Sequence, residues 1–440
     1  MAAESEPAFT REDLHKLWRI LSPDERLEGF RLLRHDDAEE FFLSLARKDL
    51  ASLMLEFPKN ERRAWMRLLP PDDAADLIQQ VPEAEREGLL GLLDEASRHE
   101  VVALLAYAQD AAGGLMNPRY ARLRPEMTVD EAIGYLRRQA RTNMELLSYL
   151  YAIDDEQRLL GVVSFRELFG SRPERTVREV MRTDVVTVRD DQDQEEVSGI
   201  LAQHDLIALP VVDSEGRMKG IVTVDDIVDV VQAEATEDIQ KLGGMEALDQ
   251  PYLEIAFTRM LRRRGGWLAV LFVGELLTAS AMAYFEDELA RALVLSLFVP
   301  LIISSGGNSG SQASTLVVRA MSLGEVRLSD WFRVVQRELG AGLALGGLLG
   351  ALGFLRVVLW QAIWPVYGEH AALLGATVGI SLLGVVLFGT IAGSLLPFLF
   401  RRLGVDPASA SAPFVATLVD VSGLVIYFGS ASLILRGTLL

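Results

Sequence analysis

Pro413-Phe414-Val415-Ala416-Thr417-Leu418-Val419-Asp420-Val421-Ser422-Gly423 decides how this chain is read. It lies in an apolar stretch, 412–435, long enough to cross a bilayer, which takes about 20 residues. An ionisable side chain inside a span is costly and is a functional candidate by default. No Lys or Arg lies near Asp420 in sequence. A bound cation would neutralise it. So would protonation, or pairing with Ser or Thr in a bundle core, and the residues leave both open.

Four more stretches of spanning length lie upstream, near 266–285, 289–318, 339–363 and 372–399. Arg262, Arg263, Arg264, Arg319, Arg327, Arg333, Arg337, Arg401 and Arg402 fall on one side of the five spans. Glu286, Asp287, Glu288, Glu369 and the C-terminus fall on the other. Positive charge stays inside, so the N-terminus is expected in the cytoplasm and the C-terminus outside, in a multi-pass protein of a bacterial-type inner (plasma) membrane. Met1 to Pro7 is small and acidic, without the basic-then-apolar pattern of a signal peptide, which gives the same expectation independently.

The chain of 440 residues is half apolar yet carries a formal charge of −19. Residues 251–440 hold 13 Lys+Arg and 11 Asp+Glu, leaving 30 and 51 for residues 1–250, so a part at −21 precedes a part at +2. A strongly acidic domain binds nucleic acid poorly and cations readily. With no cysteine, disulfides, thiolate metal sites and cysteine catalysis are excluded. The five histidines (His15, His35, His99, His204, His370) are scattered outside the spans. Oxygen donors therefore dominate, which disfavours zinc, copper and nickel and favours magnesium, calcium or manganese.

Residues 9–108 read as short amphipathic helices. Leu14, Leu17, Trp18 and Leu21 keep helical spacing, as do Phe41, Phe42 and Leu45. Ser22-Pro23-Asp24 and Pro71-Asp72-Asp73 read as helix starts with acids at the positive dipole end. Residues 115–232 contain a duplication. Leu115-Met116-Asn117-Pro118 leads to Tyr151–Val163 through an acidic turn, and Val180-Met181-Arg182-Thr183 leads to Leu209–Val222 through Asp213–Gly216. Each copy is two β-branched strands, a turn and a helix, and resembles a CBS domain. The Asp213–Gly216 turn lacks calcium-loop spacing and reads as a hairpin. An acidic linking helix follows from Val224 to Leu242, then a segment from Tyr252 to Arg264.

Two further candidates lie in spans. Ser304-Ser305-Gly306-Gly307-Asn308-Ser309-Gly310-Ser311-Gln312 offers amide and bared carbonyl oxygens if its backbone is irregular around a cavity. It reads equally as a seam of small residues for helix packing. Glu275 either lines a pore or pairs with a buried polar group.

At these residues the sequence resembles the MgtE family of magnesium channels and transporters, nearly end to end. The carriers are Ala112-Gly113-Gly114-Leu115-Met116, the CBS pair, Glu234-Ala235-Thr236-Glu237-Asp238-Ile239, Gly306-Gly307-Asn308-Ser309-Gly310 and Pro413–Gly423. The resemblance implies a multidomain membrane protein: an all-α superhelical N domain (1–112), an α/β tandem CBS pair (113–232), a linking or plug helix region (233–264) and a five-helix transmembrane domain (265–440). It implies a homodimer in the lipid bilayer with the pore between subunits, and Mg2+ as the imported ion. Asp420 is implied to bind that ion, with the Ala416 carbonyl and Asn308 nearby. Glu40, Asp72, Asp76, Glu195, Asp205, Asp226, Asp229, Glu234, Glu237 and Asp238 are implied to bridge N, CBS and plug surfaces through Mg2+, closing the pore. Some members carry Asn at Ser311 and Thr at Ser422. CBS pairs often bind adenine nucleotides, but no decisive signature stands here, so ATP is left open.

Three rival readings stand beside this one, of which the third, a sensor that conducts nothing, is disfavoured by the polar glycine run and the intramembrane acids. An intramembrane metalloprotease needs His-Glu-x-x-His, and the single His-Glu pair, His99-Glu100, is followed by Val-Val-Ala in the acidic part. A CBS-regulated carrier of another divalent cation (Ca, Mn or Co) stays open, whereas Asp420 argues against an anion channel.

Overall fold

Helix starts near the N-terminus follow their capping chemistry. The Ser22 hydroxyl accepts from the Glu25 amide at 3.4 Å, and the Glu25 carboxylate accepts from the Ser22 amide at 2.8 Å. Pro71 sits in the first turn of its helix, where its missing N–H costs nothing. The computed structural model describes residues 9–18, 20–139, 148–248, 250, 252–253 and 255–438. Met1 to Pro7, read above for a leader, and Glu254, inside the Tyr252–Arg264 segment, lie outside them. The described residues divide into two units, Met1–Val231 and Gln232–Leu440.

The first unit opens with α1 (Arg11–Leu17), α2 (Pro23–Arg31), α3 (His35–Leu43), α4 (Arg47–Glu56), α5 (Arg62–Met66), α6 (Pro71–Gln80), α7 (Glu83–Leu90) and α8 (Glu95–Leu104). Alternate helices α2, α4, α6 and α8 pack in succession, the expected stack of helical hairpins. Phe30, Phe42 and Phe57 are buried between them, with the Phe57 and Trp65 rings stacked at 5.6 Å. Leu17, expected on the apolar face, is exposed instead. The helix ends there, and Trp18 takes the buried place.

The duplication then appears as two three-stranded sheets. The elements are α9 (Ala112–Leu115), β1 (Arg122–Leu123), α10 (Val129–Gln139), β2 (Tyr149–Ile153), β3 (Leu159–Ser164), α11 (Phe165–Gly170), α12 (Val177–Val180), β4 (Val188–Arg189), α13 (Gln194–Gln203), β5 (Ala208–Val212) and β6 (Met218–Thr223). β1 pairs parallel and β3 antiparallel with β2; β4 and β6 repeat this on β5, with a bulge at the same place in each. Asp154 and Asp213 each accept two backbone amides across their turns, so both acidic turns are hairpin turns.

Each copy's leading segment crosses to the other copy. Asn117 exchanges backbone hydrogen bonds with Ile221, at 2.7 and 2.9 Å, and Arg182 does so with Val162, at 2.9 and 2.8 Å. That close approach explains Gly220 and Gly161. A Cβ on Gly220 would stand 2.7 Å from the Asn117 carbonyl oxygen, and one on Gly161 2.8 Å from that of Arg182. α14 (Val224–Leu242) leaves β6, with its last turns in the second unit.

The second unit continues with α15 (Phe257–Tyr284), α16 (Glu286–Arg291), α17 (Val299–Ser322), α18 (Trp331–Ile363), α19 (Ala371–Arg402) and α20 (Ala412–Ile434). Five segments among the described residues are long and apolar enough to cross a membrane: Phe257–Tyr284, Leu293–Ser322, Leu328–Ile363, Ala371–Arg402 and Ala412–Ile434. The third begins well before the 339 expected. Arg333, Arg337 and Glu338 interrupt its apolar pattern but not its backbone hydrogen bonds, which propagate regardless of polarity. α18 and α19 meet through glycines. A Cβ on Gly346 would stand 3.0 Å from Leu383, and one on Gly350 2.5 Å from the Gly379 carbonyl.

Gly220→Ala must displace backbone and is expected to lose about 1–3 kcal/mol. Gly199→Ala on α13 meets open space and is expected to gain about 0.5–1 kcal/mol. Denaturant melts of the full chain in detergent, followed by circular dichroism, compare the two; equal midpoints would contradict the crossed packing.

Candidate functional site

Asp420 lies on the third turn of an uninterrupted α20 and is half-buried. Three neighbours fix that helix. Gly307 on α17 faces Ala416, where a Cβ would stand 3.5 Å from the alanine methyl. Gly274 on α15 faces Thr417, where a Cβ would come within 2.6 Å of its methyl. Gly423 faces Val385 of α19. Thr417 donates to Glu275 at 3.3 Å, and the Glu275 carboxyl lies within hydrogen-bonding reach of that of Asp420. Glu275 thus pairs with Asp420 and Thr417, a contact between α15 and α20 that sequence spacing could not show. Two carboxyls sharing a hydrogen bond need positive charge between them, whether a proton or a cation.

The glycine run is helical throughout α17. The irregular backbone with bared carbonyls, raised above, is therefore not formed. The run instead divides by face. Gly306, Gly307, Ser309, Gly310 and Ser314 are buried, and the Gly306 and Gly310 carbonyls lie against Gly389 and Gly393 of α19. Ser314 donates to the Ala410 carbonyl at 2.6 Å, and Ser311 to that of Ala412 at 3.2 Å. Ser304, Asn308 and Gln312 are exposed on the opposite face at helical spacing. Asn308 thus adjoins the Gly307–Ala416 contact with its amide unburied, and Ser311, where some relatives carry Asn, ties α17 to the start of α20.

In the first unit, α6 and the first turns of α14 bring carboxylates together. Burial pushes Asp76 up to about 7 against Arg47, whose Nε lies 2.7 Å from its Oδ2, with Asp73, Asp226 and Asp229 adding repulsion. Burial also raises Asp73, opposed by Arg47 and aided by Asp225 and Asp229. Burial pushes Asp226 up to about 6, although Thr223 donates to it through hydroxyl and amide. Asp72 is buried beside them on α6. Asp73, Asp225 and Arg47 were absent from the expected set. The spacings 73/76 and 225/229 put those acids on shared helix faces, a signal that was available; Arg47 came only with tertiary packing.

The other acids are dispersed. Glu40 is exposed and paired with Arg11. Glu195 lies in the first turn of α13 and Asp205 two residues past its end, so the helix between them, at 1.5 Å per residue, spans about 12 Å, too far for one ion to ligate both. Glu234, Glu237 and Asp238 occupy the last turns of α14; Glu237 pairs with Lys241, and Asp238 accepts from Ser322 at 3.0 Å. Burial raises Asp238, with Ser322 opposing and Asp406 aiding. Among the described residues no three His, Asp or Glu converge as a preformed metal cage. Carboxylate oxygens are hard donors, and magnesium keeps several of its waters, so the acids of α6 and α14 fit a hydrated ion in their chemistry.

Comparison with known proteins accords with this architecture. Residues 10–110 match the MgtE intracellular N domain, 112–173 and 177–233 the CBS domain, and 299–430 the MgtE divalent cation transporter domain. The chain is 45% identical over 336 residues to a magnesium transporter MgtE of Thermus thermophilus, covering 76% of this chain and 72% of that one. It is 36% identical to the Bacillus subtilis protein of the same description over 332 residues, 76% of this chain and 71% of that one. A solved cytosolic domain of the Mg2+ channel MgtE in complex with ATP is 42% identical, covers 50% of this chain and 90% of its own, and superposes with a TM-score of 0.48. Descent across nearly three quarters of a transporter's length, with its segments in the same order, shows that this chain belongs to the MgtE family of divalent cation transporters.

Proposed function

We propose that this protein carries Mg2+ across the bacterial inner membrane and that Mg2+ on the cytoplasmic side closes its path. The observation that carries the reading is the Asp420 carboxyl at span depth on α20, paired with Glu275 where a cation can neutralise both. The polar face of α17, with Asn308 beside the Gly307–Ala416 contact, supplies neutral oxygens to a hydrated ion. A homodimer would bring two such helices to one pathway. Positive-inside charge supports an N-terminus in the cytoplasm and a C-terminus outside.

Closure follows from the acids. In the proposed cycle the carboxylates on α6 and α14 repel at low Mg2+, and divalent ions relieve that repulsion at high Mg2+. Glu40, Asp72, Glu195, Asp205, Glu234, Glu237 and Asp238 are proposed as further bridging acids. Each site contributes only its differential affinity, so several must act together; roughly 5.5 kcal/mol moves a population from 1:99 to 99:1. The last turns of α14 carry the change to the helices that hold Asp420. The solved relative described with ATP brings ATP into the proposal as a ligand of the CBS pair, to be read by calorimetric titration of the full chain.

Asp420→Ala in proteoliposomes is expected to abolish Mg2+ uptake while the protein remains folded. Wild-type flux from that variant would overturn the pathway. Competition with Ca2+, Mn2+ and Co2+ in the same assay decides among divalent cargoes.

A second expectation concerns pH. Asp76 and Asp226 have folded values raised to about 7 and about 6, so their contribution to stability is complete below the unfolded value of about 3.9 and is lost as pH rises through 6 to 7. The acids held low by caps and pairs, such as Glu25 and Asp213, titrate below this window. In chelator-treated buffer the unfolding midpoint of the first unit is expected to fall between pH 5 and pH 8. Saturating Mg2+ is expected to restore it at pH 8 and to change it little at pH 5. An equal Mg2+ effect at both pH values would contradict the assignment of these acids.

A further inference from the structure

α4 begins with a charge that its own helix does not favour. Arg47 is its first residue, and Ala46 before it gives no side-chain cap. The N-terminal end of a helix carries partial positive charge and favours acids, so a cation there opposes the dipole. The acid of that first turn, Asp49, is engaged with Arg26 at 3.3 Å. Arg47 therefore gains nothing from the dipole of α4.

Its side chain reaches across to α6 instead. Arg47 Nε lies 2.7 Å from Asp76 Oδ2, with the arginine side chain 32% exposed and the aspartate 12%. A pair so shielded from water is screened less than a solvated surface bridge. Asp73 feels the same positive charge, and between them Asp73 and Asp76 feel Asp225, Asp226 and Asp229 of α14 as like charges. Asp226 is fixed at the start of α14 by the Thr223 hydroxyl at 2.8 Å. Arg47 thus stands where α6 and α14 gather their acids, the place proposed above for a divalent ion. An arriving ion either displaces the guanidinium from Asp76 or binds beside it against its repulsion. Either way the arginine lowers the apparent affinity for that ion. It cannot step aside by losing a proton, because a guanidinium stays charged at any working pH.

We propose that Arg47 is a tethered cation inside the divalent-ion site of α6 and α14, seated on Asp76 while the site holds no ion, and that it sets how much Mg2+ is needed to close the path. It acts through Asp76 as a positioning residue and is not a ligand. The inference rests on the gated transport proposed above and names what fixes its threshold. The same charge relieves repulsion between α6 and α14 when Mg2+ is absent. Arg47 therefore steadies the ion-free arrangement and weakens the response to the ion.

The test is the unfolding midpoint of the first unit in the full chain, titrated with Mg2+ at pH 8. Mg2+ flux into proteoliposomes is measured beside it, with Mg2+ varied on the side of the first unit. Wild type, Arg47→Gln and Arg47→Lys are compared. Arg47→Gln is expected to unfold more readily in chelator, yet to reach half-stabilisation and half-closure at roughly five- to tenfold lower Mg2+, the scale of an ordinary coupling between sites. Arg47→Lys keeps the charge and is expected near wild type. An arginine with a merely structural role would lower the midpoint without tightening the Mg2+ response. Half-points in Arg47→Gln that are unchanged or higher overturn the tethered cation alone. If Arg47→Gln does not fold, the absence of native cysteine lets Arg47→Cys be modified in the folded chain. Aminoethyl methanethiosulfonate restores a positive charge there, and methyl methanethiosulfonate leaves the site neutral. The neutral adduct is expected to need the lower Mg2+, and equal half-points for the two adducts overturn the proposal. A wild type that gains no stability from Mg2+ and whose flux ignores it overturns the gating reading and this inference with it.

Discussion

A carboxylate in hydrocarbon must be neutralised, and this chain sets two, Glu275 and Asp420, against each other at span depth. Much of the second unit can be understood as what holds that pair in place. Glycines on α15 and α17 let those helices approach α20 closely, with Gly274 against Thr417 and Gly307 against Ala416. α19 supports the arrangement from behind, packed on the carbonyls of Gly306 and Gly310. Small residues serve this purpose in lipid, where apolar burial between helices supplies little drive and close van der Waals packing does most.

The first unit poses the same electrostatic problem in another solvent. Its acids are gathered where α6 meets the first turns of α14, and burial raises Asp73, Asp76 and Asp226 even with Arg47 among them. In the proposed mechanism a divalent cation supplies the positive charge that this cluster is short of. In the proposed mechanism that shortage is the sensor. In the same mechanism the contacts of Asp238 with Ser322 and of Lys241 with Asp406 join the last turns of α14 to the helices of the second unit.

Much of this was legible in the residues. The spans stand out because about 20 apolar residues have no other economical use, and the duplication shows because Asp154 and Asp213 build the same turn. The bounds Val224–Leu242 of α14 could be read directly, since β6 ends before it and glycines follow it. What was hidden depended on partners far away in sequence. Glu275 lies 145 residues before Asp420, and nothing local announces their contact. The glycine run looked equally like an irregular ligand loop and a packing seam, and only the position of α19 decided for a continuous helix. Arg47 was invisible for the same reason. α18 began earlier than expected because charge ends an apolar pattern without ending a helix.

In the proposed cycle the transported ion closes its own path. Mg2+ flux through the wild-type protein in liposomes, recorded while Mg2+ is raised only on the side bearing the first unit, tests it most directly. A steep fall in flux is expected, sharper than single-site binding allows, because several acidic sites must fill together. Flux that stays constant across that titration, or declines only as the gradient declines, would contradict it.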